Sequence, residues 1–137
     1  MLREPEGIIN QPIGRHPTDR KKMAVNVKNG KEAITHYQVL RQFEKYSYIE
    51  CRLETGRTHQ IRVHMASIGH PLLGDEIYSG KAACAGKILK EGAGGIFLQG
   101  QTLHAKTLGF RHPSTDKYVE VDAPLPEYFK HLLAVLK

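Results

Sequence analysis

Two arginines and two histidines crowd one short stretch of this chain, Glu54-Thr55-Gly56-Arg57-Thr58-His59-Gln60-Ile61-Arg62-Val63-His64-Met65. It reads as a strand end, a tight basic turn and the first turns of a helix. Thr58 is the expected N-cap, because its hydroxyl can accept from the free amides of a first helical turn. Ile61, Met65 and Ile68 follow at i, i+4 and i+7 as one apolar stripe. Gly69 supplies a C-terminal stop, and His70-Pro71 prevents continuation. Arg57, His59 and Arg62 are thereby gathered at a helix N-terminus, whose unpaired N–H groups and dipole favour an anion. Guanidinium forks added there point to a phosphate or a carboxylate as the group held.

A second basic cluster lies upstream. Arg15, His16, Arg20, Lys21 and Lys22 fall within eight positions of a turn-rich segment, a pattern suited to nucleic-acid backbone contact. The plainer reading is a solvated loop. Four aspartates are present, Asp19, Asp75, Asp116 and Asp122. Asp19 balances the cations around it, and Asp116 and Asp122 belong to a turn and a strand end. Asp75, in His70-Pro71-Leu72-Leu73-Gly74-Asp75, is expected to serve a turn or a helix cap rather than catalysis.

Other chemistries fit poorly. His59 and His64 are five apart, so their side chains diverge on a helix, and no His-Glu-x-x-His motif is present. No Cys-x-x-Cys pair occurs either. We expect no metal site and no cofactor. Gly80-Lys81-Ala82-Ala83-Cys84-Ala85-Gly86-Lys87-Ile88 superficially resembles a phosphate-binding loop. Its spacing is one residue too long, and Ile88 replaces the magnesium-binding Ser or Thr. A surface loop is the better reading.

The elements that must position these residues form an α+β domain. Met1–Gly7 is expected to be loose. Ile8, Ile9 and Ile13 with Pro12 suit an edge strand, since proline cannot donate to a central ladder. Met23–Val27 reads as a strand closed by a two-residue Asn29-Gly30 hairpin. Ala33–Phe43 carries apolar residues on both faces, as a central strand covered on two sides would. Glu44-Lys45 turns the chain, and Tyr46–Glu54 returns to deliver it into the Arg57–Arg62 element. Ile77-Tyr78 suits a short strand, Leu98–Phe110 ends in a strand, and Tyr118–Asp122 pairs back across a Pro-Ser-Thr-Asp turn. Pro124-Leu125-Pro126 opens a last helix with Phe129, Leu132, Leu133 and Leu136 as its buried stripe. The expected fold is a mixed, largely antiparallel sheet with a few helices packed on it.

Composition narrows the partners. At 137 residues one domain with a sizeable core is expected. A formal charge of +6 suits a polyanion. No apolar run has the length of a membrane span, so no membrane partner is expected. Cys51 falls in a strand pattern and Cys84 in a small-residue segment, so a reduced, cytoplasmic protein is expected.

Three blocks of the sequence carry a family resemblance. Gly56 to Met65 with Gly69 to Asp75, Pro12 to Pro17 with Arg20 to Met23, and Leu103 to Phe110 with His112-Pro113 together resemble the RluA-type RNA pseudouridine synthases, in order and across nearly the whole chain. The resemblance implies a cofactor-free isomerase that converts uridine in ribosomal or transfer RNA into pseudouridine. It also implies RNA in a basic cleft with the target base flipped out. Arg62 matches the family arginine that pairs with a catalytic aspartate. Arg15, His16, Arg20, Lys21 and Lys22 would then contact RNA, and Arg57 and His59 would face RNA or hold the turn.

The resemblance is incomplete. The family aspartate lies in a His-Arg-Leu-Asp motif, and this sequence contains none; Arg52-Leu53-Glu54 is a coincidence inside a strand. Neither the aromatic segment that follows the motif nor an N-terminal RNA-binding domain has a counterpart here. Residues 1–137 thus correspond to the C-terminal portion of a catalytic domain, expected to bind RNA without isomerising it. Arg62 is expected to rest against water, a bound anion or a substitute such as Glu54 or Asp75. Strands left without partners would expose edges through which a homodimer could form. A reading from another class is a non-catalytic RNA-binding module. A metal or phosphotransfer enzyme would require stoichiometric zinc or magnesium.

Overall fold

The computed structural model of the protein describes residues 2–80, 98 and 100–137. The phosphate-loop-like segment therefore lies outside the described residues apart from Gly80. In chain order the elements are β1 (Glu6–Asn10), β2 (Ile13–Arg15), β3 (Met23–Val25), β4 (Ile34–Gln42), β5 (Ser47–Leu53), α1 (Gln60–Ser67), β6 (Thr107–Arg111), β7 (Tyr118–Asp122) and α2 (Glu127–Val135). The described strands form three sheets, β1-β4-β5, β2-β3 and β6-β7, and each pairing is antiparallel. The fold is α+β as expected, without a parallel component among the described residues.

The long apolar-patterned strand is central, since β4 pairs β1 on one side and β5 on the other. Only its first half is well covered. Thr35 is fully buried, whereas Leu40, at the irregularity between Val39 and Arg41, is exposed. The apolar alternation therefore did not mark a strand buried on both faces. The chain start is also more ordered than expected: β1 begins at Glu6, and the Val39 amide donates to the Pro5 carbonyl at 2.7 Å. Pro12 falls between β1 and β2, where its missing N–H is not needed.

The expected Asn29-Gly30 hairpin is not formed. β3 pairs with β2, and the turn folds on Asn26 instead. The Asn26 Oδ1 accepts from the Asn29 amide at 3.0 Å, and the Asn26 carbonyl accepts from the Gly30 amide at 2.8 Å. This longer turn carries the chain back to Ile13, whose amide donates to Lys31 O at 2.9 Å, and on into β4 of the larger sheet. The side-chain acceptor of Asn26 thus offers the backbone an alternative to a two-residue turn.

The core sits under α1. Ile13, Ala33 and Val63 are buried together, with Met23, Val25 and Tyr78 packed against them. The basic hairpin β2-β3 is thereby fixed to the helix that carries Arg62. A second cluster gathers Leu73, Leu98, Val135 and Leu136 around Leu132 of α2. Phe129 meets Tyr48 of β5 edge-on at 5.8 Å, and the Glu44 amide donates to the Lys137 carbonyl at 2.7 Å. Those contacts seat the last helix on the β4-β5 end, with Phe129 and Leu132 buried as the apolar spacing predicts. Among the described residues no helix is long and apolar enough to cross a membrane.

Candidate functional site

The turn into α1 is built around Gln60. Its Oε1 accepts from the Arg57 amide at 2.9 Å and from the Thr55 hydroxyl at 2.8 Å. Its Nε2 donates to the Ile34 carbonyl and to Thr35 Oγ1, both at 3.0 Å. The helix start is thus tied to β4 by one buried amide. Thr58 does not cap the helix, contrary to expectation. His59 occupies the cap position in a left-handed conformation, φ 57°, with no side-chain cap bond, because the Gln60 amide already ties the turn. The helix ends as expected. Gly69, at φ 80°, donates to Ala66 O at 3.0 Å, and His70 donates to Met65 O at 2.9 Å, a Schellman closure.

The buried face of α1 is not the Ile61–Met65–Ile68 stripe. Gln60, Arg62, Val63, His64 and Met65 are buried, whereas Ile61 and Ile68 are only half-covered. Polar groups can be buried here because each has a partner. His64, fully buried, is held by Thr35 Oγ1 at its Nδ1 and by the Gln11 carbonyl at its Nε2, both at 2.8 Å. It is a structural histidine that fastens α1 to the sheet. Among the described residues no group of three metal-ligating side chains is assembled.

Arg62 is paired with Asp75, one of the two carboxylates expected for it. Its Nε donates to Asp75 Oδ2 at 2.8 Å and its Nη2 to Oδ1 at 3.0 Å, a bidentate pair with 9 % and 0 % of the two side chains exposed. Asp75 also has the turn role anticipated for it. Its Oδ1 accepts from the Ile77 amide at 3.1 Å and the Tyr78 amide at 3.2 Å, which winds Glu76–Tyr78 into a turn where a strand was expected. Gly74, at φ 80°, sits against the Gly100 backbone and lets Asp75 enter this position. Burial alone would raise the Asp75 carboxyl pKa. The Arg62 fork, the Tyr78 and Ile77 amides and the Arg62 charge outweigh it and hold the group below its ordinary 3.8. The Arg62 pKa is raised, chiefly by the same side-chain bond.

Tyr78 was missed in the sequence, and it is where the parts meet. The Arg62 guanidinium lies over its ring, 4.8 Å from the centroid. Its hydroxyl accepts from the Met23 amide at 3.0 Å and meets His59 Nδ1 at 2.8 Å. The two rings stand edge-on at 5.6 Å. Met23 pairs with Arg15 at the end of the basic hairpin. Helix residue, turn residue and hairpin thus converge on one side chain. The usable sequence signal was the spacing Asp75-x-x-Tyr78, which an aspartate-nucleated turn favours.

The remaining candidates divide. Arg20 and Lys21 are exposed and in no ion pair among the described residues, while Lys22 approaches Asp19 at 3.8 Å. Arg15 is exposed and donates to the Arg20 carbonyl at 3.2 Å. His16 turns its Nδ1 inward to accept from the Asp19 amide at 3.1 Å, closing the loop. Arg57 braces the turn by donating from Nε to the Glu32 carbonyl at 2.8 Å, and it shares no bonding partner with Arg62. A shallow groove of about 580 Å³, lined by Leu2, Glu6, Gly7, Tyr37, Ile68 and His70, contains none of the site arginines.

Comparison with known proteins agrees with this arrangement. Residues 2–67 match the sequence profile of the RNA pseudouridylate synthase family. An uncharacterized RNA pseudouridine synthase of Bacillus subtilis is 45 % identical over 137 residues, all of this chain and 41 % of the relative. The ribosomal large subunit pseudouridine synthase D of Neisseria meningitidis serogroup A is 47 % identical over 132 residues, 96 % of this chain and 35 % of the relative. The chain therefore spans about two-fifths of these relatives' length. Among solved structures, human RNA pseudouridylate synthase domain containing 1 superposes with a TM-score of 0.72 at 28 % identity, covering 92 % of this chain and 51 % of that one. Human RNA pseudouridylate synthase domain containing 4 gives 0.67, also at 28 %, covering 97 % and 57 %. From the arginine-bearing helix, the basic hairpin and these likenesses together, the chain belongs to the RluA/RluD-type RNA pseudouridine synthases.

Proposed function

We propose that these residues are the RNA-gripping, arginine-bearing portion of a synthase that isomerises uridine to pseudouridine in ribosomal RNA, acting in the cytoplasm. The single observation that carries this is the meeting of the basic hairpin and Arg62 at Tyr78. Phosphate-contacting cations and an oriented guanidinium are there part of one surface. Arg15, Arg20 and Lys21 reach outward from the hairpin and would neutralise phosphates, while His16, Lys22, Arg57 and His59 hold the turns that present them. Arg62 would stabilise an oxyanion beside the target nucleotide.

Among the described residues the only carboxylate bonded to Arg62 is Asp75, fully buried with both oxygens occupied. It cannot reach a nucleotide. The 137 residues by themselves should therefore bind RNA and leave uridine unchanged. A second reading, a non-catalytic RNA-binding module, draws on the same sealed pair.

Binding of transcribed ribosomal RNA by the 137-residue chain, measured against salt, tests the proposal together with tritium release from C5-labelled uridine. We expect affinity that falls steeply with salt, by about 0.7 log units per phosphate contact for each log unit of salt. Arg20→Ala with Lys21→Ala should reduce that slope by roughly 1.4. No tritium should be released. A salt-independent affinity, or release by the chain alone, would sink the proposal.

A further inference from the structure

A guanidinium carries five N–H groups. Asp75 takes the Nε–H and one of the Nη2 pair. Nη1 makes no hydrogen bond to a described residue and is not among the buried atoms lacking a partner. The second Nη2–H and one Nη1–H run parallel along the end of the fork, the spacing that the two oxygens of a carboxylate or a phosphate accept. One edge of Arg62 is thus consumed by Asp75, and the next edge has no partner among the described residues.

The arginine is fixed on two more sides. Asp75 cannot swing, because its Oδ1 also accepts from the Ile77 and Tyr78 amides. The guanidinium plane rests on the Tyr78 ring, and that ring is pinned at its hydroxyl by the Met23 amide and His59. A side chain with this many constraints loses little rotamer freedom when it binds.

We propose that Asp75 and Tyr78 are positioning residues, which hold Arg62 with its Nη1–Nη2 edge outward as a preformed receptor for two oxygens of one oxyanion. The inference rests on the reading of Arg62 as the residue that faces the RNA-side chemistry. Asp75 supplies a permanent carboxylate on one edge so that the other edge can bind and release. Tyr78 sets the plane, and through Met23 it links that plane to the basic hairpin.

The test is a side-chain 15N titration of the 137-residue chain with acetate, against chloride at equal ionic strength, and separately with a uridine oligonucleotide. In the wild type, the Arg62 Nε–H signal should be distinct, slow to exchange and unmoved by acetate, while the Nη signals shift saturably. Asp75→Asn should expose the Nε–H to exchange and raise the acetate midpoint at least about tenfold, and Asp75→Glu should restore part of the loss. A purely structural role for Asp75 would not move that midpoint. Acetate shifting Nε rather than Nη, no Arg62 response to either probe, or an unchanged midpoint in Asp75→Asn would overturn the inference. Should Asp75→Asn fail to fold, the wild-type contrast between Nε and Nη still decides. An Nη response to acetate without RNA binding upholds the positioning and sinks the RNA reading instead; a response to both assigns the edge to phosphate as well as carboxylate.

Discussion

Asp75→Ala should lower the unfolding free energy of this chain by about 3–5 kcal/mol, because it strands a buried guanidinium. The Arg62 side chain is 9 % exposed and its fork has no other partner among the described residues. The same change removes the acceptor for the Ile77 and Tyr78 amides and loosens the turn that places Tyr78 under Arg62. Urea unfolding followed by circular dichroism measures the loss, and a loss below about 1 kcal/mol would mean that the pair is a surface-like contact. The pair also predicts an acid limb. The folded Asp75 carboxyl lies below its ordinary 3.8, so its contribution is present in full above that value and disappears as pH falls through the depressed one. Asp75→Ala should flatten that part of the stability–pH curve and lower its neutral plateau by the same loss.

Gln60→Ala should cost about 2–4 kcal/mol, since a buried group left without its partner costs roughly 1–3 kcal/mol. Four bonds are removed at once: from Thr55, from the Arg57 amide, to Ile34 O and to Thr35 Oγ1. Thr35 in turn holds His64, so the loss spreads to the contact between α1 and the sheet. Gln60→Glu is the sharper control. It keeps both acceptor roles and replaces the two donors by an oxygen facing the Ile34 carbonyl, so it should be destabilised to a similar degree. Stability of Gln60→Glu equal to wild type would show that the donor half of the amide is not needed.

Most of the strands and both helices were legible because their evidence is local. Alternation marked β4 and β5, Gly69 marked the end of α1, and the Phe129–Leu132 spacing marked the buried face of α2. The basic character of the Arg57–Arg62 region was legible for the same reason: the residue types declare it. What the sequence did not reveal depends on pairing across distance. Asn29-Gly30 looks like a hairpin until the Asn26 side chain takes the Asn29 amide and its carbonyl takes that of Gly30. Thr58 looks like a cap until Gln60, packed under β4, supplies the acceptor first. The α1 face was misjudged because polar residues were assigned outward, whereas Gln60, Arg62 and His64 are buried against partners on other elements. Tyr78 carried no charge and no motif of its own, and its importance exists only once Met23, His59 and Arg62 surround it.

The most direct test of the account is where RNA lies on the chain. Backbone amide shifts of the 15N-labelled 137-residue protein, recorded as a ribosomal RNA fragment is added, would map that surface. Changes should concentrate in Gly14–Met23, Arg57–Arg62 and Tyr78, with little change on β6 and β7. A footprint centred on the β6-β7 hairpin, or shifts spread evenly over all exposed lysines, would contradict it.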